Sequence, residues 1–367
     1  MMDDVDDDAV DQDYENDSNN DRVPLVSQRI YMEITRDEDE IEDGDCFNVT
    51  WKVVASVLLA AILLGPRVYL SVKSHLAIAI SDDNLLIMAD SLTCAKDLQI
   101  SYSNLFEDFR SNRSRICQGS GRCNCLHPLF PSPKGMKPNL DRWWEGFDRN
   151  QQMVKSAIEQ NHTRLDVVFL GDSIFEHWLG TDLGSFRNPR IANASSLFYS
   201  IFHDHALALA LSGDRCHQLL YRIQNGEMPD NLNPTVWWIL IGTNDSANGC
   251  SKEAVLVGIL GVLLEAWKRH NQDASFVIQG LLPRGPDHLS QSRMWRNFQW
   301  INDRLACITN VSPKLKFYNG TSLFLTNGGD EVNQTLLYDY LHPSQEGYKV
   351  WGPDIIEKLK KWGFWSE

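Results

Sequence analysis

Five short apolar runs, each about the length of a strand, recur between residues 165 and 320. The first is LDVVFLG, and ALALALSG, TVWWILIG, SFVIQGLLP and LKFYNG follow it at 206–213, 235–242, 275–283 and 315–320. Their apolar residues are continuous rather than alternating, which is typical of strands that are buried on both faces. Because helix-like stretches separate the runs, the sequence predicts a parallel sheet covered by helices.

Helical patterning falls between these runs and beyond the last one. The predicted helices span about 141–160, 215–225, 252–270, 291–308 and 344–361. In open α/β sheets, ligands bind beyond the carboxyl ends of the strands. Functional side chains are therefore expected directly after the apolar runs.

Polar clusters follow the apolar runs at those positions. The clusters are Gly-Asp-Ser, Ser-Gly-Asp, Gly-Thr-Asn-Asp and, after the fifth run, Tyr-Asp-Tyr-Leu-His-Pro, at 171–173, 212–214, 242–245 and 338–343. Since the carboxyl ends of parallel strands meet at one edge, we expect all four clusters to converge there.

The clusters contain the groups that acyl transfer requires. Ser173 can supply a hydroxyl nucleophile, and His342 can accept its proton near neutral pH. Asp339, three residues before the histidine, can hold the other imidazole nitrogen. The backbone N–H groups of Ser173 and Gly213 and the side-chain amide of Asn244 can then serve as an oxyanion hole.

The four blocks in this order resemble the SGNH (GDSL) hydrolase superfamily. Longer stretches, such as SGDRCHQLLYRIQNGEMP and YDYLHPSQEGY, are similar to the catalytic α subunits of type Ib platelet-activating-factor acetylhydrolases. The resemblance covers about residues 140–362. It implies a three-layer, flavodoxin-like fold with five parallel strands, the catalytic triad Ser173, His342 and Asp339, and the oxyanion donors named above.

The resemblance also implies a small acyl pocket formed by Ile174, Thr243 and Leu341. Two bulky aliphatic side chains leave room for a short acyl group, so we expect an esterase that acts on an acetyl ester through an acyl-enzyme. Alternatives are an O-acyltransferase for a glycan or lipid and a catalytically silent binding or scaffold protein. Because the resembled subunits pair, a homodimer is one arrangement that the resemblance implies.

Other polar residues near these clusters receive structural interpretations. We interpret Asp172 as a loop hydrogen-bonding residue, His177 as an ordinary helix residue, Asp245 as a support for the site, and Arg284 as a loop brace with substrate contact as the alternative. The tryptophan pairs at 143–144 and 237–238 are expected to pack in the core or a lid. No phosphate-binding glycine loop and no convincing metal-ligand set is present in the sequence, so we predict no cofactor and no metal.

The net charge of −15 belongs to the N-terminus. Residues 1–45 hold 18 acidic and 3 basic residues, whereas the rest of the chain holds 31 of each. Residues 1–50 are therefore predicted to form a disordered acidic tail. The neutral remainder lacks the basic surface expected of a nucleic-acid-binding protein.

An apolar run at 53–66 is extended by RVYLSV to residue 72. Residues 51–72 are predicted to form a single membrane anchor, with a buried helix of a soluble domain as the alternative, since the run is shorter than the ~20 residues of a typical span. We expect 73–139 to form a stalk or linker with a cysteine cluster, and 140–367 to form the hydrolase domain.

Glycosylation sequons and cysteines favour a lumenal or extracellular hydrolase domain, with the cytosolic face as the alternative. Seven of nine Asn-x-Ser/Thr sites and seven of eight cysteines follow the apolar run. The cluster at 117–125 is expected to hold disulfides rather than zinc, because no second pair with metal-ligand spacing follows it. The connectivity cannot be derived from the sequence. An odd count leaves one thiol unpaired.

Overall fold

The computed structural model describes residues 82–111, 116–117, 123–135, 140–159, 165–184, 189–270, 272–326 and 328–365. The predicted acidic tail and membrane anchor lie outside these residues. Within the described part of the chain, no helix is both long and apolar enough to cross a bilayer. The anchor therefore stays a prediction.

Five parallel strands form one sheet in the order β2-β1-β3-β4-β5. This is the flavodoxin-like strand order. The chain adds β2 on one side of β1 and then adds β3, β4 and β5 on the other side. The prediction of a five-stranded parallel sheet is confirmed. The strands are β1 (Val167–Gly171), β2 (Ala206–Ala210), β3 (Val236–Leu240), β4 (Ser275–Gln279) and β5 (Leu315–Tyr318).

Helices α1 to α11 complete the described fold, together with short 3-10 turns and one π-helical turn, Ile223–Glu227. Three of them precede the predicted hydrolase domain: α1 (Asp82–Asp90), α2 (Thr93–Asp97) and α3 (Tyr102–Ser111). The others are α4 (Leu140–Glu159), α5 (Ser173–Glu176), α6 (Ala194–Phe202), α7 (Cys216–Arg222), α8 (Thr243–Ala247), α9 (Lys252–His270), α10 (Arg293–Ile308) and α11 (Gln345–Trp362).

Two adjacent tryptophans of β3 show that helices cover both faces of the sheet. Successive strand residues point to opposite faces. Trp237 meets His270 of α9 with 5.2 Å between ring centroids, whereas Trp238 lies 6.1 Å from Trp362 of α11. Both tryptophans are fully buried, as the continuous apolar pattern of the strand predicts.

The described residues before α4 do not form a free stalk. Tyr102 and Phe109 of α3 are completely buried in the same core as the sheet, and the Tyr102 hydroxyl donates a hydrogen bond to the Arg304 carbonyl of α10 (2.7 Å). The sequence pattern predicted a linker over 73–139, so packing of α1 to α3 corrects that boundary. The short helices offered too little periodicity to predict this contact.

Three disulfides fasten the N-terminal segment. Cys94 pairs with Cys307, Cys125 pairs with Cys250, and Cys117 pairs with Cys123, while Cys216 is a buried free thiol. Two of the bridges join residues more than 120 positions apart. The pairing agrees in part with the expected disulfide cluster. Cys117 and Cys123 pair within the cluster, whereas Cys125 pairs with a distant residue.

Candidate active site

The predicted nucleophile lies at the first turn after β1. Asp172 is the N-cap of α5, and its Oδ1 accepts a hydrogen bond from the Ile174 N–H (3.0 Å). This cap starts a helix at Ser173, as expected where a carboxylate accepts an early helical N–H. Ser173 is only 5% exposed, so its hydroxyl is held in a largely buried place at the sheet edge.

Three side chains from distant parts of the chain form a continuous hydrogen-bonded series. Ser173 Oγ lies 2.8 Å from His342 Nε2, and His342 Nδ1 lies 2.7 Å from Asp339 Oδ2. The other carboxylate oxygen of Asp339 accepts the His342 backbone N–H (2.7 Å). Burial opposes ionisation of Asp339, but these bonds outweigh it and lower its pKa to about 2. An ionised carboxylate thus orients the imidazole.

The proposed oxyanion donors come from the ends of the neighbouring strands. Gly213 follows β2 with a φ of +75°, a left-handed conformation that glycine adopts without steric cost. The Asn244 amide follows β3 and donates to the Asp214 carbonyl (2.9 Å) and to Asp172 Oδ2 (3.3 Å). The amide therefore lies between the serine turn and the loop that contains Gly213.

A buried carboxylate missing from our sequence interpretation holds that loop. Glu176 is completely buried and accepts hydrogen bonds from the backbone N–H groups of Ser212 (2.6 Å) and Gly184 (2.7 Å). Arg149 lies 3.4 Å from the same carboxylate. Because Glu176 is on the same short helix as Ser173, it fixes the distance between the serine and Gly213. An acidic residue in an otherwise apolar stretch was the available signal.

The three predicted acyl-pocket residues occupy the surroundings of the site. Ile174 and Thr243 are buried, and Leu341 is half-buried next to His342. The Ile174 carbonyl accepts the Tyr348 hydroxyl (2.8 Å), and Leu341 donates its N–H to Asp339 (3.1 Å). The structure places the three residues next to Ser173, Asn244 and His342, while their role in acyl selection stays a prediction.

Arg284 braces the site as the loop interpretation predicted. Its Nη1 donates to the Thr243 hydroxyl (3.0 Å) and carbonyl (3.2 Å). The next residue, Gly285, donates its N–H to the Tyr340 carbonyl (3.0 Å). One loop after β4 thus connects the turn that carries Asn244 with the turn that carries His342.

His177 lies closer to the site than its interpretation as an ordinary helix residue predicts. Its ring is buried and its centroid lies 4.6 Å from that of His342. Tyr338 stacks near the same imidazole at 6.0 Å. Two aromatic side chains therefore pack near the His342 ring and limit the room for its rotation.

Asp245 supports the site, as the sequence interpretation predicted, by joining the turn that follows β3 to the start of α7. Its two carboxylate oxygens accept the Cys216 N–H at 3.1 and 3.3 Å, so it fixes the start of α7. Among the described residues, no cluster of three or more histidine, cysteine, aspartate or glutamate side chains is arranged to hold a metal ion.

Sequence comparison assigns the class of protein that this fold and site define. The profile of the GDSL-like lipase/acylhydrolase family matches residues 169–350. The chain belongs to the SGNH (GDSL) hydrolase superfamily.

Its curated relatives include platelet-activating factor acetylhydrolase IB subunits. The human alpha1 subunit is 28% identical over 186 residues, which cover 50% of this chain and 70% of that protein. The human alpha2 subunit is 25% identical over 217 residues, 57% of this chain and 79% of the relative. A GDSL-like lipase from Bacteroides thetaiotaomicron has 21% identity and a TM-score of 0.41, covering 57% of this chain and 97% of that one.

Asp172 gives the site a measurable pH signature. Burial raises the pKa of its carboxyl to about 7, against opposing effects of the Ile174 N–H and of His342. An unfolded aspartate has a pKa of about 3.9, so between about pH 4 and 7 the folded state retains a proton that the unfolded state releases. The free energy of unfolding therefore falls as pH rises through this window.

We expect that the free energy of unfolding of Asp172→Asn does not fall in this way, because asparagine cannot ionise. The stability of the variant relative to wild type should rise from pH 4.5 to 7.5, by up to about 2–3 kcal/mol. Urea unfolding at several pH values measures the difference. A difference that stays constant across the window would show that Asp172 is ionised throughout.

Proposed function

We propose that this protein is a serine esterase that hydrolyses short acyl esters, with acetyl esters as the preferred class. The observation that carries the proposal is the series Ser173–His342–Asp339, with contacts of 2.8 and 2.7 Å. Its membership of a hydrolase superfamily supports the reaction class. The acetylhydrolase names of its relatives support the choice of acyl group.

The reaction proceeds in two steps. His342 Nε2 takes the proton of the Ser173 hydroxyl as Oγ attacks the ester carbonyl, and it then gives that proton to the departing alcohol. Water attacks the resulting acyl-enzyme with His342 again as the base. The acid leaves and the Ser173 hydroxyl is restored. Asp339 stays ionised and stabilises the imidazolium that forms in each step.

Negative charge develops on the carbonyl oxygen during both attacks. The N–H groups of Ser173 and Gly213 and the Asn244 amide supply preorganised donors for it. The amide has one short contact, to the Asp214 carbonyl, and one longer contact, to Asp172. In this proposal the oxyanion replaces the longer contact, so little hydrogen bonding is lost when the substrate binds.

Removal of the nucleophile tests the proposal. We expect Ser173→Ala to lower kcat for 4-nitrophenyl acetate by at least about 10³-fold, because no side chain then forms the acyl-enzyme. Ser200→Ala, which removes a surface hydroxyl bonded to the Leu197 carbonyl, is the matched control and should retain wild-type kcat. The release of 4-nitrophenolate gives both rates.

Two other results would change the assignment. If wild type and Ser173→Ala are equally slow, the protein is a binding or scaffold protein with an SGNH fold. If added sugar or lipid alcohols take up the acyl group faster than water does, it is an O-acyltransferase that uses the same acyl-enzyme.

The pocket residues lead to a prediction about acyl chain length. For 4-nitrophenyl esters, we expect kcat/KM to fall at least about tenfold from acetyl to hexanoyl, because Ile174 and Leu341 leave little room for added methylenes. Leu341→Ala should reduce this fall by enlarging the half-buried side of the pocket. A wild-type preference for octanoyl esters would exclude these side chains as a size limit.

The location of the enzyme is a second proposal. We infer a single-pass protein whose hydrolase domain faces the lumen or the cell exterior, anchored through residues 53–72. Three disulfides support an oxidising compartment, since such bonds rarely persist in the cytosol. The sequon asparagines 193, 310 and 319 are exposed and can accept a glycan.

Glycosylation provides the test of orientation. We expect the full-length protein, expressed in a secretory host cell, to shift to higher mobility after endoglycosidase treatment, and Asn193→Gln to remove one glycan from the untreated protein. Gel mobility with and without enzyme measures both effects. Unmodified protein that is digested by protease added to the cytosolic side would reverse the orientation.

A further inference from the structure

A proline-containing arm, residues 123–135, runs across the helices beside the active site. This segment lies outside residues 169–350, the part of the chain that matches the hydrolase family. Its last charged side chain, Lys134, reaches the loop that contains Gly213. The arm therefore brings a cation to the active site from a part of the chain that the family match does not include.

Several contacts fasten the start of the arm. Cys125 is bonded to Cys250, and the Asn124 N–H donates to the Asn248 carbonyl (3.0 Å). These contacts lie directly after α8, the helix that begins at Thr243 and carries Asn244. Movement of the arm is thus restricted at the same strand end that supplies the oxyanion amide.

The middle of the arm packs closely on α9. A Cβ on Gly258 would approach Pro128 to 3.2 Å, and a Cβ on Gly261 would lie only 2.5 Å from Leu129. The two glycines therefore form a shallow groove that a larger side chain would fill. Farther along, the Ser132 N–H donates to the His217 carbonyl of α7 (3.3 Å). The arm is held along its length up to Lys134.

Lys134 lies next to the proposed oxyanion hole. Its Nζ donates a hydrogen bond to the Ser212 carbonyl (3.3 Å) and lies 3.0 Å from the position that a Cβ on Gly213 would occupy. The side chain is half-buried. The ammonium group is thus a few ångströms from the Gly213 N–H and can still approach a substrate.

Two of the three carboxylates around Lys134 pair with arginines. Glu176 faces Arg149 at 3.4 Å, and Asp214 faces Arg222 at 2.7 Å. Asp182, the third nearby carboxylate, lies 3.9 Å from the His177 imidazole. In the described part of the chain, no ion pair within 4 Å is recorded for Lys134. Burial lowers the pKa of Lys134, while Asp214, Asp182 and Glu176 oppose that effect.

We propose that Lys134 binds an anionic group of the substrate beside the ester carbonyl. The substrate is then an acyl ester of an anionic compound, whose carboxylate, sulfate or phosphate oxygen accepts an N–H of Lys134. This inference rests on the proposed esterase function and adds the substrate class to it. A cation fixed in a half-buried place attracts an anion more strongly than an exposed lysine does, because solvent screens it less.

A pair of aryl acetates that differ in one charge tests the inference. The neutral probe is 4-nitrophenyl acetate, and the anionic probe is 5-acetoxy-2-nitrobenzoate, which releases a similar nitrophenolate. The measured quantity is the ratio of kcat/KM for the anionic probe to that for the neutral probe. Wild type, Lys134→Met, Lys134→Arg and the surface control Lys155→Met are compared as full-length proteins, with thermal unfolding as a check of folding.

We expect Lys134→Met to lower this ratio by about tenfold, since a charge-assisted hydrogen bond is lost only for the anionic probe. Lys134→Arg should restore most of the ratio, and Lys155→Met should leave it at the wild-type value. Added salt should lower the wild-type ratio. Acetate release from an O-acetylated polyuronate and from an acetyl phospholipid then shows whether a glycan or a lipid provides the anion.

An unchanged ratio in Lys134→Met would overturn the inference, whether or not the individual rates fall. A uniform fall for both probes would mean that Lys134 acts on the oxyanion and does not select the substrate. Failure of the esterase proposal itself would be seen differently. Ser173→Ala and wild type would then have equal kcat/KM values for both probes.

Discussion

The buried guanidinium of Arg222 connects the ends of the two strands on which the active site depends. It donates to the Gly171 carbonyl at the end of β1 (2.8 Å), to the Leu209 carbonyl of β2 (3.3 Å) and to the Asp214 carboxylate (2.7 Å). Glu227 also contacts it. An unpaired buried charge costs about 3–5 kcal/mol, so these partners must stay in place. The serine turn and the Gly213 loop therefore keep a fixed separation.

The same arrangement extends outward to the supporting helices. Trp143 of α4 donates its indole N–H to Asp214 (2.7 Å), and Asn150 of the same helix donates to Glu227 (2.9 Å). On the far side of the site, the loop at Arg284 and Gly285 joins the Asn244 turn to the His342 turn. Ser173, Asn244 and His342 come from separate parts of the chain, and buried polar contacts rather than sequence proximity hold them together.

Much of the fold could be predicted from the sequence, for a physical reason. Strands that are covered on both faces must be apolar throughout, so β1 to β5 stand out as continuous runs. Because parallel strands end at one edge, the polar residues after them could be expected to meet, and Ser173 does lie against His342. The cap at Asp172 has a short-range signal, because Asp is a favoured N-cap residue, whereas the brace at Arg284 contacts Thr243, 41 residues away.

The features that the sequence did not predict depend on contacts between residues that are distant in the chain. Helices α2 and α3 are joined to residues 213 and 202 positions away, and the partner of Cys125 lies 125 positions from it. Glu176 and Lys134 both contact backbone groups of Ser212, and Arg222 reaches the Gly171 carbonyl 51 residues away. Their partners become evident only after the strand order has brought the loops together.

The separation of the site residues along the chain also constrains how this protein is made. Ser173 precedes His342 by 169 residues, and Cys94 precedes Cys307 by 213. A growing polypeptide therefore emerges from the ribosome with its serine turn and N-terminal helices long before their partners exist. Neither the Ser173–His342 contact nor the long covalent bridge can form until almost the whole domain has been translated, so the nascent chain has no complete site during synthesis.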